Sequence, residues 1–408
     1  MKHIYLISKG SRASQYGIGT YLREVMKCLK DDPLLCLTLI ELQSEVKEFV
    51  VDYDESGKIR ILRFPFIYIL SQSQEKRWAR NVVYVLKSYI DIQNVNVFHF
   101  NFQLHYLLAT CIKEYFPESK MVMTIHYMDW CFELKGNIDK FHKIIQSKGG
   151  SIPSENEIYI SFLEEKLFFE KMDYLFCLSQ YTKQVLIDDY DIPYEKIWLV
   201  YNGLQDERGE SSKQIRLVKK NYYGFSEKQK IILFVGRLDE IKGVDYLILA
   251  FREIIKVEPN AHLLIVGDGN YNVFLNECED LWTRMTFTGK IDKKKLYDFY
   301  QIADVGVMPS FHEQCSYVAI EMMMHGLALV GTASTGLSEM LQPEYRVQQK
   351  EIGGTYGINV RDLVHKVIKI LNDENEKTRM EMISRQTFVT KYNLDRMNAG
   401  LKACYNRL

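Results

Sequence analysis

The segment Phe311-His-Glu-Gln-Cys-Ser-Tyr-Val-Ala-Ile-Glu321 places Glu313 and Glu321 on either side of a predicted helix start. A strand is expected to end near Met308, a loop to hold Glu313, and a helix to start at Ser316 and stop at Gly326. Such a helix end offers free backbone N–H groups, those of Tyr317 and Val318, to a phosphate. Ser316 is placed to cap it. Glu321, a turn later, can accept hydrogen bonds from ribose hydroxyls, and Glu313 from the hydroxyls of a sugar. One such glutamate alone reads as a solvated surface carboxylate. The pair at a strand–loop–helix junction, in the same half as a basic loop, points to function instead. That basic loop is Phe234-Val-Gly-Arg-Leu-Asp-Glu-Ile-Lys-Gly243, where Arg237 and Lys242 follow a strand and Gly236 and Gly243 let backbone approach closely. Two cations suit a diphosphate: arginine binds oxygens bidentately and lysine acts as a point charge.

Other candidates are weaker. Gly17-Ile-Gly19, read as a glycine pair between a strand and a helix, could cradle phosphate, but the third glycine of a dinucleotide fingerprint is Leu22. Glu41, near the end of the second strand, keeps an NAD-dependent oxidoreductase open as a weak alternative. His99, His105, His312 and His325 have no ligand-like spacing, so no metal is assigned. Asp52-Tyr-Asp54 and Asp189-Tyr-Asp191 read as solvated turns, one in a hairpin and one at a helix end.

These residues need two α/β halves to position them. In the first, strands are expected at Ile4–Ser8, Leu35–Glu41, Val95–Phe100, Met121–Ile125, Tyr174–Leu178 and Ile197–Tyr201, with helices at Ile18–Lys30, Glu75–Ile90 and Leu104–Tyr115. Residues 204–229 read as a polar linker carrying one helix. The second half begins at Lys230 and repeats the pattern, with strands at His262–Val266, Met285–Thr288, Asp304–Met308 and Leu327–Gly331. Its helices fit Asp245–Val257, Lys293–Gln301, Tyr317–His325 and Asp362–Leu371. The tail from Lys377 is helical with a break near Tyr392, where Asp395 could cap the final helix. Alternating strands and helices argue for parallel sheets, and two such domains normally bind a ligand between them.

The ordered set of motifs resembles the retaining glycosyltransferase family 4. It comprises Glu313-x7-Glu321, Gly-Arg-Leu with Lys-Gly, Val266-Gly-Asp-Gly269, Phe287-Thr-Gly-Lys290, Ala303-Asp-Val-Gly-Val-Met-Pro-Ser310 and Thr335-Gly-Leu-Ser-Glu339. Tyr16-Gly-Ile-Gly-Thr-Tyr21, Thr124-Ile-His126, Leu178-Ser-Gln-Tyr-Thr-Lys183 and Tyr201-Asn-Gly203 extend it through the first half. The resemblance implies a GT-B fold: residues 1–205 as an acceptor domain, 206–385 as a nucleotide-sugar donor domain, and 386–408 as a helix returning to the first. It implies catalytic roles for Arg237, Lys242, Glu313 and His126, with His126 touching the transferred sugar. It further implies donor contacts from Gly17, Gly19, Gly236, Ser316, Tyr317, Val318, Glu321 and Lys290. The expected co-substrate is a UDP-sugar, with GDP-mannose as the alternative and no bound cofactor. The acceptor is expected to be a surface glycan, a lipid-linked glycan or a peptide. The chain departs from the family where Gln314-Cys-Ser316 replaces a common Pro-Phe-Gly, Ala328 a proline and Thr335 a glycine. A sugar-nucleotide epimerase on the same fold and a silent nucleotide-binding partner are further alternatives.

Bulk properties agree with two domains. At 408 residues, 47% hydrophobic and 26% charged, the chain exceeds one core. Formal net charge of −1 and pI near 6.8 argue against a nucleic-acid partner. The first residues read as a strand and not as a signal peptide. No apolar run approaches the roughly 18 residues of a membrane span. The eight cysteines are scattered, several in apolar runs, and read as buried free thiols of a cytoplasmic protein. A basic helix with Trp78 beside the apolar stretch Phe64–Leu70 raises peripheral contact with an anionic membrane, although a strand followed by a solvated helix face explains it as well.

Overall fold

The computed structural model describes residues 1–10, 16–102, 106–150, 152–352 and 355–408. The chain divides into two compact units. One contains Met1–Asp129, Ile144–Asn202 and Leu394–Leu408; the other contains Trp130–Lys143 and Gly203–Asn393.

The first unit is built on eight strands: β1 (Lys2–Lys9), β2 (Leu35–Ser44), β3 (Val50–Tyr53), β4 (Arg60–Pro65), β5 (Val95–Phe100), β6 (Lys120–Ile125), β7 (Tyr174–Cys177) and β8 (Ile197–Leu199). Their order is β3-β4-β2-β1-β5-β6-β7-β8, parallel except for the β3–β4 hairpin. Runs such as Ile4-Tyr-Leu-Ile7 are buried on both faces, as strands covered by helices must be. The chain steps from β1 to β2 on one side and later to β5 on the other, so the sheet has its switch point between β1 and β5. Helix Leu394–Arg407 packs on helix Gly17–Leu29, and its Tyr405 is fully buried with its hydroxyl 2.5 Å from His99 Nδ1.

The second unit holds β9 (Lys230–Val235), β10 (Ala261–Val266), β11 (Met285–Phe287), β12 (Val305–Met308), β13 (Leu329–Thr332) and β14 (Arg346–Val347), all parallel, in the order β11-β10-β9-β12-β13-β14. Here the switch point lies between β9 and β12. One apolar core runs from Phe234 and Ile265 through Phe251 and Val307 to Leu363 and Ile370, joining the sheet to helices Val244–Val257 and Val360–Asn372. At the other end of β12, Asp304 accepts from Arg216 at 2.6 Å and Lys377 at 2.7 Å, with Lys220 at 3.8 Å. Those three cations hold its carboxyl below the usual range despite burial.

Several expectations need correction. Helices Asp129–Glu133, Ile138–Gln146 and Pro153–Glu170 fill the stretch between β6 and β7, which carried no assignment. Residues 104 and 105 of the expected helix, His105 included, lie outside the described residues; the helix described is Tyr106–Tyr115. Asp395 does not cap the last helix, because that helix already starts at Leu394 and Asp395 sits in its first turn. The break before it is a π-helical turn, Phe388–Tyr392, followed by extended Asn393. Trp78 is 6% exposed, since the apolar face of helix Gln72–Leu86 turns it inward. It lines a cavity of about 420 Å³ with Phe49, Phe64, Ile67, Tyr68 and Arg77. The neighbouring Phe66, Tyr68 and Leu70 stay exposed. All eight cysteines are free, and all but Cys36 are buried.

Candidate active site

The carboxyl ends of β9 and β12 release their loops side by side at the switch point of the second sheet. The Gly236–Gly243 loop carries Arg237 and Lys242. Gly243 is left-handed (φ 62°), and a Cβ there would lie 2.2 Å from the Pro309 carbonyl oxygen, so only glycine lets the two loops touch. Phe311 N–H donates to Ile241 O at 2.8 Å and ties them together. The result is a Lys242 Nζ to Glu313 Oε1 pair at 2.5 Å, with the Ser310 hydroxyl donating to the same oxygen at 3.0 Å. Both side chains are mostly buried, at 18% and 13% exposed. On the other flank of the loop, Gly267 and Gly269 run against Gly236 and Leu238, with Gly236 N–H donating to Val266 O and Leu238 N–H to Asp268 O. That glycine pair of the sequence therefore supports the Arg237 loop. Arg237 is a third exposed and 3.1 Å from Asp239.

Thr335 fixes the backbone of Glu313 from the next loop. Its hydroxyl accepts from Glu313 N–H at 3.0 Å and donates to Glu313 O at 2.6 Å, while Gly336 N–H also reaches that carbonyl. Thr335 has φ of 25°, an uncomfortable value for a β-branched residue, and these bonds hold it there. The segment Trp130–Lys143 closes on the same loop: Gly136 (φ 71°) approaches Phe311 O, and Phe132 meets the His312 ring edge-on. Burial lowers the His312 pKa to about 4, so this imidazole is neutral beside the Lys242–Glu313 pair.

The helix after that loop spans Tyr317–His325, capped by Ser316 Oγ accepting from Ala319 N–H and ended by left-handed Gly326 (φ 72°). Ser316 thus takes one of the first-turn donors, that of Ala319. Glu321 accepts a hydrogen bond from Tyr300, on helix Lys293–Ile302, at 2.8 Å. Burial raises the Glu321 pKa to about 7, against the lowering effect of that hydrogen bond and of nearby Lys293. Lys290 lies exposed beyond β11.

In the first unit, Gly17 and Gly19 are not in a loop between strand and helix. They occupy the first turn of helix Gly17–Leu29, and a Cβ at Gly17 would meet nothing within 4 Å. Glu41 is engaged by Arg63 at 2.7 Å. Asp52 pairs with the same Arg63, and Asp54 accepts from the turn N–H groups of Lys58 and Ile59. His126 follows β6 half-buried, edge-on to Tyr21 with ring centroids 4.7 Å apart, its Nε2 3.2 Å from Asn101 Oδ1. Burial depresses its pKa to about 3.

The structure therefore brings Lys242 to Glu313, puts Arg237 and Gly236 in the same loop, and places Ser316, Tyr317, Val318 and Glu321 on one helix end. Ser310, Thr335 and Tyr300, which hold the two glutamates, were not among the residues picked from the sequence; the unusual Thr335 before Gly336 was the one visible sign. Among the described residues no group of three or more His, Cys, Asp or Glu side chains could hold a metal ion, and no helix is long and apolar enough to cross a membrane.

Residues 17–208 match the family described as Glycosyltransferase Family 4, and residues 216–387 match Glycosyl transferases group 1. An uncharacterised glycosyltransferase of Methanocaldococcus jannaschii is 27% identical over 287 residues, 64% of this chain and 73% of that protein. Against other curated relatives the chain spans about half their length, 54% and 49% in two cases. A sucrose-phosphate synthase structure from Thermosynechococcus elongatus superposes with a TM-score of 0.76 at 19% identity, covering 100% of this chain and 99% of that one. An Anabaena protein crystallised with UDP and glucose gives 0.72 at 14%, covering 100% of both chains.

Proposed function

The chain belongs to the group 1 glycosyltransferases of family 4, with two parallel-sheet α/β domains of the GT-B fold, and from this premise we propose that it moves a sugar from a UDP-sugar to a hydroxyl acceptor, retaining anomeric configuration and using no metal. The observation that carries this reading is the Lys242–Glu313 pair at 2.5 Å, set at the sheet's switch point beside Arg237 and a serine-capped helix start. In this reading residues 206–385 hold the donor, residues 1–205 the acceptor, and residues 386–408 belong with the latter.

Arg237, Lys242 and the N–H groups of Tyr317 and Val318 stabilise the charge that grows on the departing diphosphate. Glu321 accepts from the ribose hydroxyls. Glu313, already held by Ser310 and Thr335, accepts from sugar hydroxyls, and Lys242 bridges it to the diphosphate. Gly236, Lys290, Gly17 and Gly19 complete the donor contacts, and His126 meets the sugar. As the glycosidic bond to phosphate breaks, the acceptor oxygen bonds to the same face of the anomeric carbon and its proton passes to the leaving phosphate oxygen. His126, with its depressed pKa, is a poor base near neutral pH, which fits a reaction without a dedicated protein base.

The UDP preference draws on the UDP and glucose held by the Anabaena protein of the same fold. For the acceptor, the apolar cavity around Trp78, with Arg77 at its edge and Phe66, Tyr68 and Leu70 exposed beside it, favours a lipid-linked glycan at a membrane surface. The test is a panel of UDP- and GDP-sugars, following nucleotide release and binding. Arg237→Ala and Lys242→Ala should each lower turnover by on the order of 10² or more. Binding of no sugar nucleotide, or wild-type rates in both variants, would refute the assignment.

A further inference from the structure

The contacts of Asn101 settle a chemical property of His126. Asn101 follows β5 at the first sheet's switch point and is 1% exposed. Its Nδ2 donates to Ile7 O at 3.3 Å and to His99 O at 3.2 Å. Both partners are carbonyl oxygens that can only accept, so the amide has one orientation, with Oδ1 toward His126. Oδ1 is itself only an acceptor, and it lies 3.2 Å from His126 Nε2. The proton of a neutral His126 must therefore sit on Nε2, which leaves a lone pair on Nδ1.

The surroundings keep the ring in this state. Tyr21 fixes it edge-on, and the Tyr21 hydroxyl is bonded at 2.9 Å to Thr124 Oγ1, which lies 2.7 Å from His99 Nε2. Among the described residues, the titratable groups seen against His126 are Tyr21, edge-on, and His99. Burial pushes the tyrosine up and the histidine down to about 3, so both are neutral.

We infer that Asn101 is a positioning residue that holds His126 as the Nε2–H tautomer, so that Nδ1 accepts a hydrogen bond from a hydroxyl of the transferred sugar. The second clause rests on the reading that His126 meets the sugar; the first does not. The consequence is a specificity rule: the sugar must present an O–H donor at that point, and a fluorine or hydrogen in its place forfeits the bond.

The tautomer is read directly by long-range ¹H–¹⁵N correlation of histidine-labelled full-length protein at pH 7. Expected are a protonated Nε2 and an unprotonated Nδ1 for His126; a protonated Nδ1 overturns the inference. Asn101→Asp puts a carboxylate at Nε2 and favours the imidazolium, which cannot accept at Nδ1. At saturating donor, kcat of this variant relative to wild type should be about 10-fold lower at pH 6 than at pH 8, if its His126 pKa rises to about 7. An unchanged spectrum and an unchanged kcat ratio across that range count against the positioning role, and a variant that does not fold leaves the wild-type spectrum to decide. Adding the sugar nucleotide selected by the panel should shift His126 Nδ1, whereas UDP alone should not. No shift with the sugar nucleotide overturns the sugar contact while leaving the tautomer assignment standing, and nucleotide binding is judged separately through Arg237 and Lys242.

Discussion

Tyr300→Phe tests how the donor's nucleoside is held. Tyr300 donates to Glu321 at 2.8 Å, and that bond counteracts burial, leaving the carboxyl pKa at about 7. A hydrogen bond to a charged group contributes about 1.5–3 kcal/mol, equivalent to about one to two pKa units. Without it, the Glu321 pKa should move to about 8–9. At pH 7 the ionised fraction would fall from about one half to about 1–10%. If the carboxylate accepts from the ribose hydroxyls, UDP affinity at pH 7 should fall about 5- to 50-fold. By pH 9 the variant should come within about 2-fold of wild type, because half or more of its carboxyl has ionised again. Wild-type affinity should itself rise from pH 6 to pH 8, and Glu321→Gln should abolish that slope. Isothermal titration with UDP from pH 6 to pH 9 reads all three proteins. A Tyr300→Phe loss of equal size at every pH would mean a packing defect, and a wild-type affinity indifferent to pH would refute the role given to Glu321.

Three further outcomes follow from the same geometry. Thr335→Gly should relieve backbone strain of about 1–3 kcal/mol yet release Glu313; stability should hold in thermal melts while kcat falls on the order of 10- to 10²-fold, and an undiminished kcat would remove Thr335 from the site. Asp304→Asn should cost about 3–5 kcal/mol in denaturant unfolding near pH 7, by stranding buried cations. Because the folded Asp304 pKa is depressed, its contribution is present above the unfolded value and lost as pH falls through the folded one, so the variant should also lose part of the acid dependence of stability. Glu165 behaves oppositely: burial beside Asp129 raises its pKa to about 8, although Tyr190 donates to it at 2.5 Å. The native state then holds the extra proton between about pH 4.5 and 8, stability declines as pH rises through that window, and Glu165→Gln should flatten the decline in melts at pH 5 and pH 8.

Much of this is legible in the amino-acid sequence. The helix Tyr317–His325 appears where serine and glycine punctuate it, and the central buried strands fall on the apolar runs that predict them, whereas β4 and β14, which also carry buried residues, have no counterpart among the expected strands. Local chemistry sufficed there, because caps and strand burial depend on near neighbours. Tyr300, Thr335 and Asn101 were out of reach, since each acts on a residue 21 to 25 positions away through the packing of separate elements. Around Trp78 the sequence leaves membrane contact and a solvated helix face both open, and only the packed face reveals that the indole points inward.

The burial of Tyr405 against His99 has a consequence for the order of events in the cell. Residues 394–408 complete a unit whose remaining parts all precede residue 203. On the ribosome, the first sheet is made early and must wait through some two hundred residues of synthesis for the helix that covers part of it. Across that interval the second unit, almost continuous in sequence, can finish folding first. The unit begun first is thus the one finished last, and its unfinished core is the period of greatest exposure to chaperones and proteases.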